Sequence, residues 1–210
     1  MSEKLPGPAY RVQTPRLVIR CWMPEDAPRL KAAVEQSLDH LLPWMPWAHQ
    51  EPTGLQAKVD FLRRVRGQFD LNQDYTYGIF NRAETEVLGG TGLHTRLEGA
   101  AREIGYWIHQ AHIKQGLATE TAAALTKVAF LVDGVNRVEI HCDPQNFASA
   151  AVPGKLGYQH EATLRRRTTV PGSGKRRDTM VWTLFAADFP ASPAASLEIE
   201  AFDVIGRKLL

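Results

Sequence analysis

Ala118, Ala122, Leu125, Val128, Ala129 and Val132 recur three and four residues apart, the spacing that lays apolar side chains along one face of an α-helix. Strand-like runs flank this stripe, Glu103–Ile108 before it and Arg137–Cys142 after it, and Asp133-Gly134 ends it. Two strands joined through such a helix run in the same direction, with a right-handed crossover. The chain must therefore build at least one parallel strand pair with a helix packed across it.

The remaining pattern is mostly antiparallel. Leu17–Trp22 reads as a strand introduced by Thr14-Pro15-Arg16, and Pro24-Glu25-Asp26 starts a helix to about Gln36. Proline suits a first helical turn, and carboxylates suit the positive end of the dipole. His40–Trp47 is apolar but interrupted by Pro43 and Pro46, which excludes a regular helix or a central strand. Val59, Leu62, Val65 and Phe69 predict a helix near Gln56–Leu71. Tyr75–Phe80, Val87–His94 and Glu103–Ile108 are strands separated by the turn-rich Asn81–Thr85 and Arg96–Ala100. Pro144-Gln145-Asn146 leads into a short helix. Tyr158–Thr168 and Arg177–Leu184 then form a hairpin around Pro171-Gly172-Ser173-Gly174. This order predicts an α/β fold of the α+β type: a single domain with a mixed, mostly antiparallel sheet of about six to seven strands and helices on both faces. Residues 1–9 read as a flexible leader, 10–188 as the domain and 189–210 as a C-terminal extension carrying a strand at Leu197–Ala201 and a short helix.

Composition removes several classes of function. No apolar run approaches the ~20 residues of a membrane span, and the N-terminus lacks the apolar core of a secretory signal. Cys21 and Cys142 form neither a metal-ligand spacing nor a disulfide framework, and fit the core of a cytoplasmic protein. A net charge of +2 does not demand a polyanion. No metal and no membrane partner are expected.

Ile113-Lys114-Gln115-Gly116-Leu117-Ala118-Thr119 lies between a strand and the long helix, where free backbone N–H groups and the helix dipole can hold a pyrophosphate. The Gly-Lys-Ser/Thr ending of a P-loop is missing, as is the dinucleotide glycine fingerprint. By itself the segment is equally compatible with an ordinary strand-to-helix connection.

Asn146-x-x-Ser149 followed by Lys155-Leu156-Gly157-Tyr158 resembles the second conserved block of the GNAT N-acetyltransferase superfamily, and more narrowly its RimJ/RimL branch, which acetylates the N-termini of proteins, notably ribosomal ones. Thr14-Pro15-Arg16-Leu17, the segment Pro43-Trp44-Met45-Pro46-Trp47 and the strand Glu103–Ile108 resemble further blocks of that branch, in the same order, over about residues 12–188.

The resemblance implies a sheet splayed in the middle, with acetyl-CoA as co-substrate. The main chain of Tyr106, Trp107 and Ile108 would pair with pantetheine, and one of those N–H groups would polarise the thioester carbonyl. The amides of Ile113, Lys114, Gln115, Gly116, Leu117, Ala118 and Thr119 would hold the pyrophosphate, Asn146 would bind the pantetheine arm, and Ser149 would protonate the departing thiolate. The amine attacks acetyl-CoA directly. The acceptor is the α-amine of a ribosomal or other protein, or a small-molecule amine or antibiotic; a catalytically weak CoA-binding module is the third reading. A homodimer is compatible with this branch.

Three features depart from the family pattern. Ile113 and Lys114 replace two usual members of the pyrophosphate turn. The strand after Lys155–Tyr158 carries Arg165-Arg166-Arg167 where the branch often has a glutamate, which leaves Glu103 as the first substitute base, ahead of Glu139 and His141. Pro153 stands inside the short helix; an interior proline costs about 3 kcal/mol, so the helix is expected to kink or end near Val152. Trp44 and Trp47 are either core-packing residues or an aromatic wall for the acceptor. Arg165–Arg167 and Lys175–Arg177 mark a solvated edge or a surface for an acidic substrate or rRNA, with Arg165 and Arg167 on one face. Sequence-specific nucleic-acid binding is not expected.

Overall fold

A computed structural model of the chain describes residues 8–170 and 173–210; residues 1–7 of the leader and Pro171-Gly172 of the hairpin turn lie outside the described residues. In chain order the elements are β1 (Arg11–Gln13), β2 (Leu17–Cys21), α1 (Ala27–Glu35), α2 (Leu38–Leu41), α3 (Leu55–Asp70), β3 (Tyr75–Asn81), β4 (Val87–His94), β5 (Ala101–Ile108), α4 (Leu117–Leu131), β6 (Arg137–Cys142), α5 (Phe147–Lys155), β7 (Gln159–Thr169), β8 (Arg176–Phe185) and β9 (Glu200–Phe202).

Nine strands among the described residues form one sheet in the order β7-β8-β6-β5-β4-β3-β2-β1-β9. That exceeds the six to seven predicted. Beyond the seven strands of the main pattern, the extension strand joins the sheet as β9, and β1 was not foreseen; at three residues it is too short for a period of two to register. Neighbours pair antiparallel except β5 and β6, which are parallel across α4.

The two faces of the sheet bury separate cores. Leu17, Ile19, Tyr77, Ile79, Leu93 and Ile104 pack with the apolar stripe of α4. On the other face Val18, Trp22, Phe80 and Trp107 meet α1 and α3 through Leu30, Val34, Leu62 and Val65. Strand alternation produces this division directly.

Residues 189–210 belong to the same core. Phe189, Ala194, Ala201 and Leu209 are buried in it, and β9 pairs antiparallel with β1. The predicted strand at Leu197–Ala201 starts three residues later and ends one later, at Glu200–Phe202.

Two local expectations need correction. The helix of Phe147–Lys155 continues through Pro153 instead of ending near Val152. The arginine run does not alternate simply either: the β7–β8 register shifts between Leu164 and Thr168, and Arg166 takes φ 54°, so this bulge breaks the period of two.

Candidate active site

Strands β5 and β6 pair only over Ala101–Glu103 with Arg137–Glu139. Beyond Glu103 they diverge, and β6 continues against β8 to Cys142. The β5 main chain from Ile104 to Ile108 keeps its β4 partner but has no ladder partner on the β6 side. The result is a strand edge opened in mid-sheet, whose unpaired N–H and C=O groups are of the kind an extended chain can pair with.

At the C-terminal end of β5 the backbone turns into α4. Gly116 caps that helix at φ 80°, and Lys114 adopts φ 60°, a left-handed conformation that costs a side-chain-bearing residue about 1 kcal/mol or more. Arg16 braces the turn: its Nη1 donates to the Gln115 carbonyl at 2.9 Å, and its Nε donates to Glu120 Oε2 at 2.6 Å. Thr14 Oγ1 donates to Glu120 Oε1 at 2.5 Å and accepts from the Leu17 amide at 2.9 Å. The Thr14-Pro15-Arg16-Leu17 motif thus neutralises a buried carboxylate in the first turn of α4. Without Arg16, that charge would oppose an anion at the helix N-terminus.

Across the splay, Asn146 caps α5, its Oδ1 accepting from the Ser149 amide at 3.1 Å. Pro153 has no N–H for the carbonyl of Ser149, four residues back. Tyr106 supplies the replacement. Its hydroxyl donates to the Ser149 carbonyl at 3.2 Å and lies 3.3 Å from Ser149 Oγ. Burial pushes the Tyr106 phenol well above its ordinary range, so it stays protonated. Here is the physical reason α5 survives its proline. At its far end Gly157 takes φ 86°, while Tyr158 N donates to Pro153 O, a Schellman closure.

A cavity of about 810 Å³ opens on the other face of the splay and reaches through to Asn146 and Ser149. Trp44, Trp47, Tyr106, Trp107, Glu103 and His141 border it, whereas Ile113–Thr119 stand outside its lining, past the end of β5. Trp47 meets Trp107 edge-on at 6.1 Å. Arg177 lies over Trp44 at 5.7 Å and donates to the Pro43 carbonyl at 2.6 Å, which ties the proline-limited loop to β8. Both tryptophans therefore stand on a wall of the cavity.

Residues 16–159 match the model of the acetyltransferase (GNAT) domain. The chain belongs to the GNAT acetyltransferase family. It is 26% identical over 187 residues to the [ribosomal protein uS5]-alanine N-acetyltransferase of Escherichia coli, covering 87% of this chain and 94% of that enzyme. Mycobacterium smegmatis RimJ in complex with CoA-disulfide superposes with a TM-score of 0.77 at 22% identity, over 89% of this chain and 91% of that one. RimL, a ribosomal L7/L12 alpha-N-protein acetyltransferase solved with coenzyme A, superposes with a TM-score of 0.74 at 19% identity, over 82% and 95%. Acetyl-CoA is the co-substrate of this GNAT enzyme, and the opened β5 edge beside a helix N-terminus with no side-chain cap suits an extended chain ending in an anion. No helix among the described residues is long and apolar enough to cross a membrane.

The GNAT reaction requires a proton acceptor for the amine, and the ionisable groups on the cavity face differ in availability. Glu103 is buried and gripped by Arg96, whose Nε donates at 2.7 Å and whose Nη2 donates to the second oxygen. Burial works to raise the Glu103 carboxyl, but the Arg96 hydrogen bonds and the nearby His141 hold it below the ordinary carboxylate range. His141 turns Nε2 to Glu139 Oε2 at 2.7 Å and Nδ1 to Glu103 Oε2 at 3.7 Å. Asp74 and His94 make a further pair, with His94 Nδ1 2.8 Å from Asp74 Oδ2. That pair was not legible in the sequence, because its members lie on different elements; the loop before β3 and the last residue of β4 meet only through strand register. Arg16 and Tyr106 were legible as motif members, but their hydrogen-bonding roles were not.

Proposed function

We propose that this GNAT enzyme transfers acetyl directly from acetyl-CoA to the N-terminal α-amine of a protein, with ribosomal proteins the first acceptors to test. The observation that carries the reading is the β5 edge, opened after Glu103, with a tryptophan-walled cavity on one side and Ser149 on the other. The likeness to the uS5-alanine acetyltransferase along almost its full length supports the acceptor class.

In this reading the main chain of Tyr106, Trp107 and Ile108 holds pantetheine, and one N–H faces the thioester oxygen as it gains charge. Amides from Lys114 to Thr119 take the pyrophosphate, aided by the Lys114 cation. The Asn146 amide nitrogen, left free by the capping oxygen, bonds the pantetheine arm. Ser149 donates to the leaving sulfur. Trp44 and Trp47 contact the first residues of the acceptor peptide. A peptide α-amine ionises at ~8, against ~10.4 for lysine, so a modest base selects the α-amine over side chains. Glu103 acts as the anion that fixes Arg96 and His141.

Thiol release from acetyl-CoA tests the reading, with an alanine-initiated hexapeptide, the same peptide N-terminally blocked but carrying an internal lysine, and a set of small amines. Turnover of the free α-amine peptide alone is expected. Turnover confined to small amines, or CoA binding with no thiol release, overturns it.

A further inference from the structure

We propose that His94, oriented by Asp74, is the general base that takes the proton from the acceptor amine. The proposal rests on the acetyl-transfer reading above and names a residue for it.

Register places His94 opposite Glu103, Gly92 opposite Gly105, and Gly90 opposite Trp107, so all six share the cavity face of β4 and β5. The three glycines form a floor on which the rings lie. A methyl on Gly92 would come within 2.3 Å of His94 Nε2, and one on Gly90 within 2.6 Å of Trp107 Nε1. His94 Nε2 also lies 3.6 Å from where Gly105 would carry a methyl, one residue from Tyr106 and the opened β5 edge.

A carboxylate only accepts, so His94 presents Nδ1–H to Asp74 and carries its lone pair on Nε2. Asp74 is itself fixed: its Oδ1 accepts from the Thr95 amide at 3.1 Å. Burial tends to raise its carboxyl, but the His94 and backbone hydrogen bonds hold it low, and it stays anionic. Among the described residues Nε2 has no hydrogen-bond partner, and His94 borders the cavity. The neighbouring charges are committed elsewhere: Glu103 from β5 to Arg96, His141 from β6 to Glu139, and Lys58 from α3 to Glu51. This is the pattern of base plus orienting carboxylate.

The two proton transfers then fall on opposite faces of the sheet. The ammonium proton passes to His94 Nε2 and on to water. As the N–C bond forms and the C–S bond breaks, the nitrogen gives its second excess proton to the emptied His94 Nε2, which passes it to water, and the thiolate takes a proton from Ser149 Oγ, which regains one from water; ammonium and thioester thus yield amide, thiol and one released proton.

The pH profile of kcat/KM with the alanine-initiated hexapeptide tests this. His94→Gln should lower kcat/KM about 100-fold at pH 7, and the deficit should close as pH rises past the amine pKa of ~8. Acetyl-CoA affinity, measured calorimetrically, should stay within about twofold of wild type. Asp74→Asn should show a smaller loss with the same pH dependence, as a positioning residue would. A His94→Gln enzyme within threefold of wild type at pH 7, or a deficit equal at every pH, overturns the proposal. Long-range 1H–15N spectra of the histidine rings read the tautomer without turnover: Nδ1-protonated His94 is expected, and a neutral ring protonated on Nε2 overturns it even if no peptide proves to be a substrate.

Discussion

The Tyr106 hydroxyl donates to the Ser149 carbonyl at 3.2 Å, the acceptor that Pro153 leaves without a helical partner. One side chain thereby joins the two walls of the splay and holds the Ser149 hydroxyl, the proposed donor to the leaving sulfur. Tyr106→Phe should cost about 1 kcal/mol, the usual worth of such a bond, and lower kcat more than it changes peptide KM. In a Pro153→Ala background, residue 153 regains an N–H for that carbonyl, and the stability loss from Tyr106→Phe should shrink. Urea unfolding of the four proteins in the cycle measures the coupling.

Arg16 covers Glu120 and holds the Gln115 carbonyl. Arg16→Ala exposes an anion beside the amides proposed to hold the pyrophosphate, and acetyl-CoA affinity should fall about tenfold, equivalent to about 1.4 kcal/mol. Adding Glu120→Gln should recover much of that loss, and calorimetric titration with CoA at low salt would show it. Equal affinity in wild type and Arg16→Ala would mean that the motif serves folding alone.

How far the sequence revealed all this depends on the range of each interaction. The apolar stripe of α4 and the alternation of β3 to β6 are local patterns, so the parallel crossover and both helical layers were legible. β1 is three residues long and owes its existence to pairing with β2 on one side and β9 on the other, and β9 was placed only to within a few residues. The proline in α5 was read by its local cost, and the compensation came from Tyr106, distant in sequence. Glu103 was legible as a carboxylate on the cavity face, but not its capture by Arg96. His94 lay at the end of a predicted strand, and only register brought it over Gly105 beside Asp74. Local rules located the site's scaffold; long-range pairing set the hydrogen bonds within it.

Acid should unfold the protein through its buried carboxylates. Asp26 is almost fully buried and takes two hydrogen bonds from Arg20, at 2.8 and 2.9 Å, with Arg29 beside it. Burial tends to raise its carboxyl, yet these guanidinium contacts and the Met23 amide hold it below the ordinary value. A group depressed in the folded state contributes stability above its unfolded pKa of ~3.9 and loses it as pH falls through the lower folded value. The melting temperature should therefore be flat from pH 7 to 5 and drop below about pH 4. Asp26→Asn should destabilise by about 2 kcal/mol at pH 7 by weakening the charge-assisted hydrogen bonds from Arg20, which keeps Glu84 at 2.6 Å, and should flatten the acid limb.

Gly157 joins the active-site helix to the C-terminal extension. It closes α5 at φ 86°, and an added methyl would lie 2.9 Å from Pro193 Cδ and 3.1 Å from Ser192 Cβ. Gly157→Ala therefore combines left-handed strain of about 1 kcal/mol with overpacking of about 1–3 kcal/mol. Gly134, which follows α4 at φ 65° with nothing within 4 Å of the same methyl, carries the strain alone. Gly134→Ala should cost about 1 kcal/mol and Gly157→Ala at least twice that. The difference between their urea midpoints measures how firmly Ser192-Pro193 is held against the end of α5. If the two substitutions cost the same, the extension gives way without resistance, and its contact with α5 contributes little to stability.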